Sequence, residues 1–124
     1  MHHAVVEVAS SKFGQLLVDG QGRILYLFAA DKTSASTCYD ACSKAWPPFL
    51  ADSGAAVDAM HGATAGLTGT KARTDGTVQV TYNGHPLYYY EGDTKPGQIG
   101  CQGVDNFGGK WWVVDPQGNA ITKT

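Results

Sequence analysis

Leu25-Tyr26-Leu27-Phe28-Ala29-Ala30-Asp31 and Leu87-Tyr88-Tyr89-Tyr90-Glu91-Gly92-Asp93 both read L-Y-x-[F/Y]-x-x-D, and each follows a glycine-containing turn, at Gly22 and Gly84. A signature repeated within one chain names an architecture before it names a chemistry. Here it predicts two related β units packed together. Side chains alternate between the faces of a strand, so Tyr26 and Phe28 share one face, as do Tyr88 and Tyr90. Leu25, Leu27, Leu87 and Tyr89 point the other way, and bulk on both faces marks strands covered on two sides. Asp31 and Asp93 fall just past the strand ends, where a carboxylate accepts backbone N–H bonds and fixes an exit turn. The repeat therefore reads as an aromatic layer with a turn aspartate in each half.

Working outward, sixteen glycines and five prolines among few helical stretches predict a mainly β chain. Residues 4–8 and 15–18 flank Ser10-Ser11-Lys12-Phe13-Gly14 as a first hairpin. Asp19-Gly20-Gln21-Gly22 then turns the chain into 23–28. Residues 77–82 and 86–90 flank Asn83-Gly84, the strongest short hairpin signal in the sequence. A last pair, 111–114 with 120–122, lies across Asp115-Pro116-Gln117-Gly118. The string Val-Asp-Pro-Gln-Gly at 114–118 matches Val-Asp-Gly-Gln-Gly at 18–22, as if a further repeat were opening. One short helix is expected near residues 37–46, with Thr37 as N-cap, Asp40 completing a capping box, and Trp46-Pro47-Pro48 as the stop. Residues 50–75 are rich in Ala, Gly and Thr and read as a connecting loop with weak helix at Asp58-Ala-Met-His61. The expectation is β-rich α+β: one domain, 4–124, of two imperfect antiparallel repeats at about 14–50 and 77–115. Met1-His2-His3 reads as a tag remnant.

At 124 residues the chain can bury a core without metal or many disulfides. A net charge of −2 with scattered Lys and Arg offers no basic stripe, which excludes nucleic acid as a partner. No run approaches the roughly 20 apolar residues of a spanning helix. The G-x-S-x-G, H-E-x-x-H, P-loop and dinucleotide motifs are all missing. His85 and Asp93 form the minimum of an acid–base pair, but a turn histidine is the simpler reading. Tyr82, Tyr89, Trp111 and Trp112, with His85, make a candidate ligand surface.

Cys38, Cys42 and Cys101 give an odd count, hence one bridge and one thiol. In a regular helix Cys38 and Cys42 lie near the limit for a disulfide, and a bridge there needs a distorted first turn. Cys42 with Cys101, or Cys38 with Cys101, is also geometrically credible. At a first helical position a free Cys38 thiol would be reactive. The three cysteines with His85 are also candidates for copper or zinc, since thiolate and imidazole suit those ions.

The paired Y-x-[F/W/Y]-x-x-D signatures, the C-x-x-x-C before Trp46-Pro47-Pro48-Phe49, and Asn83-Gly84-His85-Pro86-Leu87-Tyr88-Tyr89-Tyr90 with Gly92-Asp93 resemble the secreted-repeat lipoprotein family. The resemblance covers residues 14–120. These are predicted bacterial lipoproteins whose biochemical role is not established, so it implies export to the envelope or cell surface and membrane association only through a lipid anchor not present in this sequence. The family pattern supports pairing Cys38 with Cys42, and the third cysteine, in Gly100-Cys101-Gln102-Gly103, departs from that pattern. The expectation is an exported, non-enzymatic structural or binding module without a cofactor. The alternatives are a redox or soft-metal module, and a subunit of a disulfide-linked or strand-added surface assembly with a cell-envelope partner.

Overall fold

The turn residues place the hairpins where the sequence puts them. In the computed structural model, which describes residues 4–51 and 57–123, β1 (Ala4–Ser11) and β2 (Gly14–Asp19) pair antiparallel from Val6↔Asp19 to Ser11↔Gly14. The expected tag remnant at residues 1–3 lies outside the described residues. After the turn at 19–22 the chain enters β3 (Tyr26–Phe28). Across Asn83-Gly84, β7 (Val78–Tyr82) meets β8 (His85–Tyr88) with Tyr82 opposite His85. Both turn residues have positive φ, Asn83 at 50° and Gly84 at 78°, the conformation for which this dipeptide is selected.

The chain is mainly β. β1 joins β2 and β5 (Val57–Ala59) in a three-stranded sheet. The larger sheet runs β4 (Leu50–Ala51), β7, β8, β3, β10 (Gly109–Val113), β9 (Val104–Asn106), with β6 (Thr68–Ala72) also paired to β7. Two expectations are corrected here. Residues 57–59 are a strand rather than weak helix, and they pair parallel to β1, outside the two repeats. Val57 and Ala59 are half-buried while Asp58 is exposed, a period of two that a three-residue window hides. Residues 68–72, read as loop, pair with β7 along its whole length.

The helix is shorter than expected. α1 covers Ala41–Ala45, and no side chain caps it. Thr37 is not its cap because both its N–H and its hydroxyl bond Asp31 Oδ1, at 2.8 and 2.6 Å. Asp40 sits at φ 54°, outside helical space, which separates Cys38 from the helix.

The central strands are covered on both faces, as their side-chain bulk predicts. Tyr26, Phe28 and Tyr88 lie in one buried cluster with Trp46 and Trp111. Leu25, Leu27 and Leu87 lie in the other, with Val6, Leu17, Val80 and Tyr82. The matched strings at 18–22 and 114–118 build one turn twice. Asp19 Oδ1 accepts the Gln21 and Arg23 amides, each at 2.9 Å, and Asp115 Oδ1 accepts those of Gln117 and Asn119, at 3.0 and 2.8 Å.

Gly118 shows what this second turn requires. Its φ is +87°, and a Cβ there would lie 2.3 Å from Asn83 Cβ, whereas Gly76, at φ +89°, has open space. Gly76→Ala is expected to cost the left-handed penalty alone, about 1–2 kcal/mol. Gly118→Ala adds about 1–3 kcal/mol for displacing Asn83. Urea unfolding of the two variants measures the difference, and equal midpoints would refute the contact.

Candidate functional site

The two signature strands lie side by side. β3 and β8 pair antiparallel with Tyr26 opposite Tyr88 and Leu27 opposite Leu87, so the equivalent tyrosines of the two repeats face each other and Leu27 faces the equivalent of Leu25. Local two-fold symmetry follows. The Tyr26 hydroxyl donates to Asp93 Oδ2 and the Tyr88 hydroxyl to Asp31 Oδ2, both at 2.5 Å. Each repeat's tyrosine is bonded to the other repeat's aspartate.

The same relation runs through the aromatic layer. Phe28 stacks on Trp111 (centroids 4.0 Å apart), Trp111 on Trp46 (4.0 Å), and Tyr90 lies against Trp46 at 4.7 Å. Tyr88 meets Trp111 edge-on at 5.0 Å, and Tyr26 meets Trp46 at 5.2 Å. Trp46 is therefore the first half's counterpart of Trp111. Trp111 and Val113 register with Phe28 and Tyr26, while Pro48 bridges Tyr88 and the Tyr89 amide donates to Pro47 C=O. The tryptophan-bearing segment that each motif pairs with thus comes from the opposite half. Two prolines remove N–H groups from the Trp46-Pro47-Pro48 copy, which leaves only an isolated bridge there.

Sequence reasoning missed Arg73, which lies in the supposed loop. Its side chain is buried, donates to Ser36 Oγ (3.0 Å), Gln79 Oε1 (2.8 Å) and Cys38 C=O (2.7 Å), and stacks on Tyr39. Ser36 Oγ lies 2.5 Å from the Tyr88 hydroxyl, and since that hydroxyl donates to Asp31, the serine donates to it. The guanidinium is thereby linked to Asp31. In the other half Arg23 donates to the Asp93 backbone carbonyl at 3.2 Å and stacks over Tyr89. Tyr89 in turn donates to Asp19 Oδ2 at 2.7 Å.

Burial, reinforced by the partner carboxylates, pushes the Tyr26, Tyr88 and Tyr89 phenols well above their ordinary range. Burial also raises the Asp93 carboxyl, against the opposing hydrogen bonds from Tyr26 and the Gly100 amide.

Cys38 and Cys42 form a disulfide with Cα atoms 5.2 Å apart. Cys38 is fully buried and precedes the helix, so it is not a reactive thiol at a first helical position. Cys101 is the free cysteine; it is half-buried beside the first cluster, and the proximity of its thiol raises the Tyr90 phenol. It follows Gly100, whose amide bonds Asp93 Oδ1 at 2.7 Å, as Cys38 follows Thr37 on Asp31. Cys101 is thus the counterpart of Cys38, and the second half has no equivalent of Cys42. With two sulfurs in a disulfide, the three-thiolate metal set with His85 does not exist. Among the described residues no three His, Cys, Asp or Glu side chains gather to hold a metal.

The expected ligand surface is also dispersed. Tyr82 and Trp111 are fully buried in different clusters, and Trp112 is half-buried on the Tyr82 side. His85 is half-buried at the hairpin, and the Asp93 oxygens are engaged by Tyr26 and Gly100 rather than by an imidazole. Tyr89 borders a cleft of about 580 Å³ shared with Phe49 and Asp19.

A family model described as a secreted repeat of unknown function matches residues 7–49 and 69–115, more than half of the chain. The chain belongs to this family. The description makes this secreted repeat an exported protein, and the two matched segments each contain one signature strand. No curated protein and no solved structure matches it.

The exchange of partners predicts a specific pattern of coupling in the secreted repeat. In double-mutant cycles, Tyr26→Phe with Asp93→Asn is expected to show a coupling of about 0.5–3 kcal/mol. Tyr26→Phe with Asp31→Asn is expected to be nearly additive. The reverse ranking in urea unfolding would mean that each aspartate serves its own repeat.

The raised phenols predict an alkaline limit. A group with a raised folded value contributes stability below its unfolded value, here 10.0, and that stability falls as pH climbs beyond it. Phenolate absorbance is expected to rise in two stages, with Tyr26, Tyr88 and Tyr89 ionising together with the loss of circular dichroism. One smooth titration of a folded protein would contradict this.

Proposed function

We propose that this secreted repeat is a non-enzymatic structural or binding module of the cell surface or periplasm. Attachment through a lipid anchor is what the resemblance to predicted lipoproteins implies. One observation carries the reading: the signature's polar groups, Tyr26, Asp31, Tyr88 and Asp93, are bonded to one another inside the fold. A buried hydroxyl already donating to a carboxylate contributes to stability and is not poised for proton transfer to a substrate. The most sequence-distinctive groups therefore hold the two halves together. A second reading, a subunit of a disulfide-linked assembly, is favoured by the half-buried free thiol of Cys101.

Thiol titration of denatured protein, with and without prior reduction, separates these readings from a redox or soft-metal role when elemental analysis accompanies it. The expected result is one thiol before reduction, three after it, and no stoichiometric metal. Stoichiometric copper or zinc, or reversible cycling of all three thiols in the folded protein, would overturn the proposal. A dimer that separates on reduction during size-exclusion chromatography would favour the assembly.

A further inference from the structure

A second cleft, of about 360 Å³, opens between the β1–β2 hairpin and the loop at residues 95–99, away from the signature layer. Its floor is aliphatic: Ala9, Leu16, Ile24 and Ile99. Leu16 and Ile24 are core residues, and Ala9 and Ile99 are half-buried hydrophobic groups packed against the same cluster. At the mouth stand Ser10 and Lys12. Among the described residues Lys12 is the only charged one lining it, and no carboxylate does.

Both walls are pinned without a ligand. The Gly97 amide donates to Gly22 C=O at 3.0 Å, and Gln98 ties its loop internally by accepting from the Thr94 amide and donating to Gly92 C=O. On the hairpin side the Ser11 hydroxyl donates to Gly14 C=O and accepts from the Phe13 amide. Lys12 lies in this fixed turn with its ammonium 5.2 Å from the Phe13 ring centroid. A preformed cleft with an aliphatic floor and a few polar groups is the ordinary anatomy of a small-molecule site, and its volume lies within the usual range of about 300–1,000 Å³. The larger cleft beside Tyr89 is less informative, because its walls at Ala4 and Leu50 adjoin residues 1–3 and 52–56, outside the described part.

We propose that this cleft binds a small amphipathic anion, with an aliphatic chain on Ala9, Leu16, Ile24 and Ile99 and a carboxylate at the Lys12 ammonium. Apolar burial supplies the affinity, and the single cation sets the polarity of the head group. The site is separate from the proposed structural role and stands whether or not that reading does.

The probe is decanoate, with octanoate and decylammonium as comparisons, followed by calorimetry and by amide shifts in NMR spectra. Saturable one-to-one binding of decanoate is expected, with shifts centred on Ala9, Ile24 and Ile99. Shortening the chain to octanoate is expected to weaken it by about fourfold per methylene. Lys12→Glu, an exposed turn substitution, is expected to weaken decanoate binding at least tenfold and to make decylammonium the preferred ligand. The proposal is overturned by the absence of saturable binding below the micelle concentration, by shifts centred elsewhere, or by equal decanoate affinity in wild type and Lys12→Glu.

Discussion

The register of β3 against β8 is the constraint on which the rest of the molecule depends. With Tyr26 opposite Tyr88, the two signature strands are related by a local two-fold axis that passes through that pair. The two tyrosines reach across to the two aspartates, and the indoles of Trp46 and Trp111 close face to face between them. A slip of one residue would turn Tyr26, Phe28 and Tyr88 toward the wrong face and leave two buried carboxylates without their tyrosine donors. Unpaired buried charge is costly, so the polar bonds select the register and apolar packing stabilises it.

Symmetry holds for the backbone and the aromatic layer but not for the charges. Asp31 accepts from Tyr88 and twice from Thr37, and through Ser36 it is linked to the buried Arg73. Asp93 accepts from Tyr26 and the Gly100 amide, while Arg23 reaches only its backbone carbonyl. The Asp93 carboxyl is accordingly raised by burial. Its protonated form is favoured in the fold, so its contribution is full in acid and declines as pH rises through its folded value. The disulfide follows the same division: it ties down the half whose aspartate is braced by arginine and leaves Cys101 free in the other.

Much of this was legible in the sequence, for identifiable reasons. Asn83-Gly84 encodes its own turn, and the alternation around Tyr26 and Tyr88 encodes two covered faces, because both signals are local. The partner exchange was not legible. A tyrosine and an aspartate five residues apart suggest a lock within one turn, and nothing in a linear reading shows that each meets the other's copy. Arg73 was hidden for a related reason: its importance comes from Ser36, Gln79 and Cys38, which are distant in sequence. The short helix begins later than expected because Thr37, a good cap by identity, is engaged by Asp31 instead. The candidate ligand surface groups Tyr82 and Trp111 by residue type, and the strand order that buries them in different clusters is not local information.

The exchanged strands have a consequence for how such a molecule can be built. A half severed from its fellow would retain a tyrosine lacking its acceptor, an aspartate lacking its donor, and an open position beside its signature strand. It could complete itself only with another half, in the manner of an intertwined homodimer. Joining two copies in one polypeptide makes that encounter intramolecular, governed by the effective concentration that the tether between them provides. The covalent connection then frees each copy to diverge, which is how one half can hold a disulfide and the other an unpaired thiol within a shared frame.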